Sequence, residues 1–250
     1  MRHIIIGDVH GCHSELISLI EDLKLQDEDK LYFIGDLIDR GPDSVGVVKY
    51  VRSLSARYST ILILGNHEEK LLRFNHHKNM KDEFLHKMQD TDNLKFLEQN
   101  LNSLDIEFLS SSYINYNLTD YNICLLHGGI SENNNINLNS NFQYSYDLFK
   151  IQKGIDLLLK TRYLDSSGNF VALGKEDENS VFWADKYNGY FGKIIFGHHA
   201  IISNKPKEYT NAINVDTGCV FGGWLSCCII YDGNITYKSI KASKAYYKRN

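Results

Sequence analysis

A short apolar run that breaks off at glycine or a polar cluster recurs six times in this sequence, and few folds accommodate that pattern. Ile4-Ile5-Ile6 runs into Gly7-Asp8-Val9-His10-Gly11, and Leu31-Tyr32-Phe33-Ile34 into Gly35-Asp36. Ile61-Leu62-Ile63-Leu64 meets Gly65-Asn66-His67-Glu68, and Ile123-Cys124-Leu125-Leu126 meets His127-Gly128-Gly129. Ile194-Ile195-Phe196 stops at Gly197-His198-His199, and Ala212-Ile213-Asn214-Val215 at Asp216-Thr217-Gly218. Unbroken apolar runs of this length fit strands buried on both faces, at the centre of a sheet or sandwich.

Helical patterns separate the first of these runs. Leu16, Ile17, Leu19, Ile20 and Leu23 recur at helical spacing with Ser14 as the expected N-cap, and Val45, Val47, Val48, Val51 and Leu54 follow Pro42-Asp43-Ser44. Leu71, Leu72 and Phe74 continue from Glu68. The first half therefore reads β-α-β-α-β-α. Near the end, Leu225–Tyr231, a turn at Asp232-Gly233-Asn234 and Ile235–Ile240 read as a hairpin. Residues 1–250 are expected to form a single α/β domain, with a more helical or irregular middle at about 75–120 and 142–190. The asparagine-rich stretch Asn133–Asn141 is expected to be a surface excursion.

A net charge of −4 argues against a general nucleic-acid or anionic-membrane binder, which needs a basic surface. No run of 18 apolar residues predicts a membrane span. Met1–Asp8 lacks the pattern of a signal peptide. The five cysteines have no metal-type spacing and are expected to be reduced thiols in a cytoplasmic protein. Cys227 and Cys228 are adjacent and should point to opposite faces of a strand.

Ligands in α/β folds collect beyond the carboxyl ends of strands. Those ends carry Asp8, His10, Asp36, Asn66, His67, His127 and His198. Carboxylates, imidazoles and an amide oxygen suit Mn, Fe or Zn ions. Asp8 and His10, two apart, should point to the same side. So many donors exceed the needs of one metal, and two metals sharing a carboxylate is the natural reading. Such a pair acidifies water, clamps a phosphate and stabilises an in-line displacement.

With these motifs in this order, the sequence resembles the phosphoprotein-phosphatase branch of the calcineurin-like metallophosphoesterases. The likeness rests on Gly7–Gly11, Gly35–Gly41 with its Asp39-Arg40-Gly41, Gly65–Glu68, His127–Gly129 and Gly197-His198, and extends from about residue 3 to the stretch 216–225. It implies a four-layer α/β/β/α sandwich with a dinuclear site between the sheets. It also implies Asp8, His10 and Asp36 on the first metal, with Asp36 bridging to a second held by Asn66, His127 and His198. His67 would be the general acid, oriented by Asp39, while Arg40 and Asn66 would bind phosphate oxygens.

The pattern departs from that branch in one place. A further phosphate-binding arginine is expected between His127 and His198, yet Phe182-Trp183-Ala184-Asp185-Lys186 has none. Arg162 is the expected substitute, with Lys186 as the alternative. The implied substrate is a phosphomonoester, phosphoserine or phosphothreonine in a protein or peptide. The alternative is a bis(5′-nucleosyl)-tetraphosphate, because Thr161-Arg162, Phe196–Ala200 and Asn214–Gly223 resemble segments of dinucleoside tetraphosphate hydrolases. In that case Tyr113, Tyr116, Tyr144, Tyr146, Tyr163 and Tyr187 are candidate base platforms. No role is read for His3, His13, His76, His77, His86 or His199, and the basic tail Lys241, Lys244, Lys248 and Arg249 reads as a solvated end.

Overall fold

The computed structural model describes residues 1–80, 88, 90–131, 133, 136–151 and 154–248. His86 and Arg249 lie outside the described residues, as do residues 134 and 135 of the asparagine-rich stretch. The chain begins with β1 (His3–Ile6), α1 (His13–Leu23), β2 (Lys30–Phe33), α2 (Ser44–Ser55), β3 (Ser59–Leu62) and α3 (Asn66–Met80) in strict alternation. Helices α4 (Thr91–Asn100) and α5 (Ser103–Ser110) lead into β4 (Tyr113–Leu118) and β5 (Ile123–Leu126). Short elements follow: β6 (Phe142–Gln143), α6 (Tyr146–Ile151), α7 (Ile155–Leu158), β7 (Tyr163–Leu164), β8 (Phe170–Val171), β9 (Val181–Phe182) and α8 (Trp183–Lys186). The chain closes with β10 (Lys193–Phe196), β11 (Lys207–Glu208), β12 (Ala212–Asn214), β13 (Trp224–Tyr231) and β14 (Asn234–Lys241).

Two sheets carry the fold, ordered β14-β13-β1-β2-β3 and β11-β12-β10-β5-β4-β6, with a third small sheet β8-β7-β9. The apolar runs divide by alternation, as strand geometry requires. Ile5, Tyr32, Ile34 and Ile63 from the first sheet meet Leu125, Ile195, Ile213 and Val215 from the second in one buried cluster. Their neighbours Ile4, Ile6, Leu31 and Phe33 turn the other way, into a cluster with Leu16 and Leu19 of α1 and Val47 and Val51 of α2. Cys124, Leu126, Ile194 and Phe196 do the same on the far side, joined by Leu158 and Trp183. The result is the four-layer α/β/β/α sandwich. Cys227 and Cys228 divide between the two clusters, and all five cysteines are buried with free thiols.

Within each sheet the strands that end in polar clusters run parallel: β1 with β2 and β3, and β5 with β10 and β12. Their carboxyl ends therefore share one edge per sheet. Among the described residues, no helix is long and apolar enough to cross a membrane.

Three local expectations change. Helix α1 starts at His13 with Cys12 in the cap position, and Ser14 lies inside its first turn. The cause is the tight turn at His10 and Gly11, both at positive φ, which brings the chain into the helix early. The hairpin turn is the two-residue Asp232-Gly233, both at positive φ, which matches the twist of paired strands. Asn234 already pairs with Tyr231. The first part of the middle is helical only to Ser110, because β4 joins the second sheet beside β5, while 142–190 mixes the short helices α6, α7 and α8 with short strands. The asparagine-rich stretch runs on the surface, with Asn133, Asn137, Asn139 and Asn141 exposed. It is anchored by buried Ile136 and Leu138, and the Leu138 carbonyl accepts from the Asn115 and Asn117 side-chain amides.

Candidate metal centre

The loops after β1 and β2 are stitched together by their backbones. The Val9 and His10 N–H groups both donate to the Asp36 carbonyl, at 3.1 and 2.7 Å, and Gly11 N–H donates to Leu37 at 2.8 Å. Five of the nine non-glycine residues at positive φ among the described residues lie here: His10, Asp36, Asp39, Arg40 and His198. Backbone held in that region costs energy and clusters where a site over-determines it. Two glycines show how close the loops approach. A Cβ on Gly65 would lie 2.3 Å from the Asp36 nitrogen, and one on Gly197 would lie 2.0 Å from the Asp8 carboxylate.

Two histidines have their roles set by hydrogen bonds. His10 Nδ1 donates to the Ile38 carbonyl at 2.9 Å and His127 Nδ1 to the Ile34 carbonyl at 2.6 Å. Each such bond fixes the tautomer and turns Nε2 inward as a ligand atom. Burial pushes the His10 pKa down to about 3, so its imidazole is neutral with a lone pair on Nε2. His198 is also held neutral, first by burial and then by the Arg162 charge. Both of its ring nitrogens are buried with no hydrogen-bond partner.

Asp36, almost fully buried, divides its carboxylate between two donor groups. Oδ2 lies 3.4 Å from His10 Nε2 and Oδ1 lies 3.3 Å from His127 Nε2. Donor atoms of His10, Asp36 and His67 lie within 4.8 Å of one another, and so do those of Asp36, His127 and His198. Asn66 Oδ1 adjoins the second group, 3.2 Å from His127 Nε2. The compact triad of the first group contains His67. Asp8 is outside that triad and accepts the His198 N–H at 3.0 Å.

The residues present fit divalent cations. Burial works against the charge on Asp36, and the imidazoles of His127, His67 and His10 more than reverse it, holding its carboxyl well below the usual range. Asp8 is pushed well up by burial and by the charges of Asp216 and Asp36, and Asp216 is pushed up to about 6, chiefly by burial. Three buried carboxylates at one point, with two unpartnered His198 nitrogens, call for positive charge.

Asp39 hydrogen-bonds His67 Nδ1, which leaves His67 Nε2 facing the Asp36 side at 3.9 Å from Oδ2. Asn93 at the start of α4 donates to the other Asp39 oxygen. Burial raises the Asp39 carboxyl, but the bonds from His67 and Asn93 bring it below its ordinary value. Arg40 Nη1 donates to His10 Nε2. Arg162 Nη2 donates to the His198 carbonyl at 3.0 Å, and its charge faces Asp36, Asp216 and Asp8.

A cleft of about 840 Å³ opens over these groups, bordered by Arg40, Arg162, His198, Asp216, Phe221 and Tyr247. Lys186 is exposed on a different cavity of about 380 Å³ beside Trp183 and Tyr187, so of the two basic candidates Arg162 is the one on the cleft. Of the six tyrosines singled out in the sequence, only Tyr163 borders it. Tyr113 and Tyr116 pack between the sheets, Tyr144 and Tyr187 are core, and Tyr146 stacks on His76 at 3.6 Å. His199 borders the cleft against the Phe182 ring, His3 is bonded to the Tyr32 hydroxyl, and His13 pairs with Asp43.

Glu68 is the chief residue that sequence reasoning missed. It is fully buried, and its carboxylate accepts from four backbone N–H groups: Asp36 and Gly65 at 2.8 and 3.1 Å on Oε2, Leu37 and Ile38 at 2.8 and 3.2 Å on Oε1. It thereby sets the conformation of the Asp36 loop. Glu68→Ala leaves four buried donors without an acceptor and is expected to lower stability by about 3–5 kcal/mol. Glu68→Gln, which keeps one oxygen, should lose less. Thermal unfolding checks this, and an alanine variant as stable as the parent would refute the cradle.

A calcineurin-like phosphoesterase family model matches residues 1–202. A bis(5′-nucleosyl)-tetraphosphatase PrpE, asymmetrical, of Oceanobacillus iheyensis is 31% identical over 240 residues, covering 90% of this chain and 87% of the relative. The protein of the same description from Bacillus subtilis is 29% identical over 236 residues, covering 90% and 89%. Among solved structures, a candidate diadenosine tetraphosphatase superposes with a TM-score of 0.71 at 25% identity, covering 96% of this chain and 93% of that one. A serine/threonine phosphatase from Saccharomyces cerevisiae superposes with a TM-score of 0.62 at 15% identity, covering 98% and 81%, which speaks to the fold alone.

Proposed function

The chain belongs to the calcineurin-like phosphoesterase family, and from that premise we propose that this metal-dependent phosphoesterase hydrolyses bis(5′-nucleosyl) tetraphosphates asymmetrically. Water and diadenosine tetraphosphate would give ATP and AMP. Phosphoserine and phosphothreonine, the first expectation from the sequence, become the second reading, because the relatives that match over most of their length are named for the dinucleotide. The observation that carries the proposal is the pair of guanidiniums, Arg40 and Arg162, on one cleft with the donor set. Two planar cations suit a run of phosphates better than a single one.

Asp8, His10, Asp36, Asn66, His127 and His198 would hold two divalent ions, with manganese the proposed metal and Fe or Zn as alternatives. Bound there, such ions neutralise phosphoryl charge and acidify water. Arg40 and Arg162 orient the phosphate chain, and Asn66 adds a side-chain amide. His67 gives its Nε2 proton to the departing oxygen. Asp39 steadies the imidazolium from Nδ1, and Asn93 holds Asp39 in place. Because Asp36 comes from one sheet and His127 and His198 from the other, residues 1–250 are read as one catalytic unit. The cytoplasm, where nucleotides and reduced thiols abound, is the proposed compartment.

The test is a substrate panel on metal-stripped protein reloaded with Mn²⁺. We expect kcat/KM for diadenosine tetraphosphate to exceed that for a phosphothreonine peptide by about a hundredfold, with ATP and AMP as products on ion-exchange chromatography. A preference for the peptide would overturn the proposal. Two equivalents of ADP would overturn its asymmetry.

A further inference from the structure

The cleft has an aromatic corner that belongs to neither the donor set nor the tyrosines singled out in the sequence. Phe221 and Tyr247 meet there edge to face, with ring centroids 6.3 Å apart, and Tyr247 is 46% exposed. Arg40 extends over the Phe221 ring, its guanidinium carbon 5.8 Å from the centroid. A cation that can take phosphate is thus directly beside two aromatic faces that can take a base.

The corner is built rather than incidental. Phe221 lies in the loop that also carries Asp216, which is buried at the donor set. That loop is fastened to the segment after β14. The Val220 carbonyl accepts from Tyr246 N–H at 2.9 Å and Tyr247 N–H at 3.0 Å, and Phe221 forms an antiparallel bridge with Ala245. The Ala242 N–H donates to the Gly223 carbonyl at 3.0 Å, and Lys241 Nζ donates to the Gly222 carbonyl at 2.7 Å. Gly222, at φ +82°, turns the loop against Ala245. Both rings are therefore held in fixed register with Asp216 and the donors.

We propose that Phe221 and Tyr247 form the platform on which one base of a nucleoside polyphosphate stacks, with its phosphates running past Arg40 toward Arg162. This rests on the reading of the substrate as a nucleotide and specifies where its base goes. Stacking on aromatic side chains tolerates any base, because every base has a π face. The platform accordingly selects nucleotides over bare phosphates without selecting among the bases.

The experiment measures competitive inhibition of p-nitrophenyl phosphate hydrolysis by ATP and by inorganic triphosphate, which share phosphates and differ in the nucleoside. The variants are Tyr247→Ala, at an exposed position, and Phe221→Leu, which keeps apolar bulk without a π face. Each is expected to raise the Ki of ATP about tenfold and leave the Ki of triphosphate unchanged. Equal rises for both inhibitors would mean that the rings only shape the phosphate site, and no rise for either would mean that no base stacks there. Both results overturn the platform. Assay of diadenosine tetraphosphate cleavage separates this from the substrate reading. Selective loss of ATP binding in a protein that does not cleave the dinucleotide keeps the platform and removes the reading. Cleavage with unchanged inhibition in the variants keeps the reading and removes the platform.

Discussion

Asp36→Asn is expected to lower kcat/KM on every phosphate substrate by at least about a thousandfold, equivalent to ~4 kcal/mol of transition-state stabilisation. The substitution preserves shape and the backbone N–H that Glu68 accepts, so the fold should persist. It removes the charge and one of the two oxygens. At present Oδ2 faces His10 and Oδ1 faces His127; an amide nitrogen turned to either side presents a donor where a ligand atom is required. Metal content by elemental analysis should fall, while the circular dichroism spectrum stays that of the parent. A variant that keeps parental turnover and a full metal load would falsify the bridging assignment.

The second expected result concerns the leaving group. His67→Asn should slow hydrolysis of phosphoserine by about a thousandfold and that of p-nitrophenyl phosphate by no more than about tenfold, because a proton matters most to the poorer leaving group. The dinucleotide, whose leaving group is itself a phosphate, should fall near the smaller value. The geometry behind this is the chain Asn93–Asp39–His67, in which the carboxylate fixes Nδ1 and leaves Nε2 toward the donor set. Equal losses on both esters would assign His67 to the donor triad it shares with His10 and Asp36 and not to proton transfer.

Much of the fold could be read because buried strands here are uninterrupted apolar runs that stop abruptly. The six runs mark strands of the two sheets, and the polar residues just beyond them include most of the candidate donors. A strand that is apolar on both faces shows that each face is covered but not by what. That Ile5 meets the other sheet while Ile4 and Ile6 meet helices depends on how the layers stack. The donors were legible for a further reason: imidazole, carboxylate and amide at strand ends are distinctive whatever surrounds them.

Supporting residues carried no such mark. Glu68 reads as an acidic residue in the first turn of a helix, a common place for one, until its four N–H partners from two loops are seen. Asn93 sits in an ordinary helix start, 54 residues from Asp39. Tyr113, Tyr116, Tyr144, Tyr146, Tyr163 and Tyr187 qualify as base platforms by residue type alone. Most of them pack in cores, while the aromatic corner of the cleft comes from a glycine-rich loop and a strap after the last strand.

The sequence by itself determined the chemistry at the strand ends and the alternation that buries the strands, since both are local properties of residue type and period. The tertiary structure decided how Asp36 shares its two oxygens, that Arg162 and not Lys186 borders the cleft, and which rings stand beside Arg40. Those outcomes rest on contacts between segments far apart in the chain. No local pattern encodes such contacts, because they arise only when the two sheets close face to face and bring their loops to a common edge.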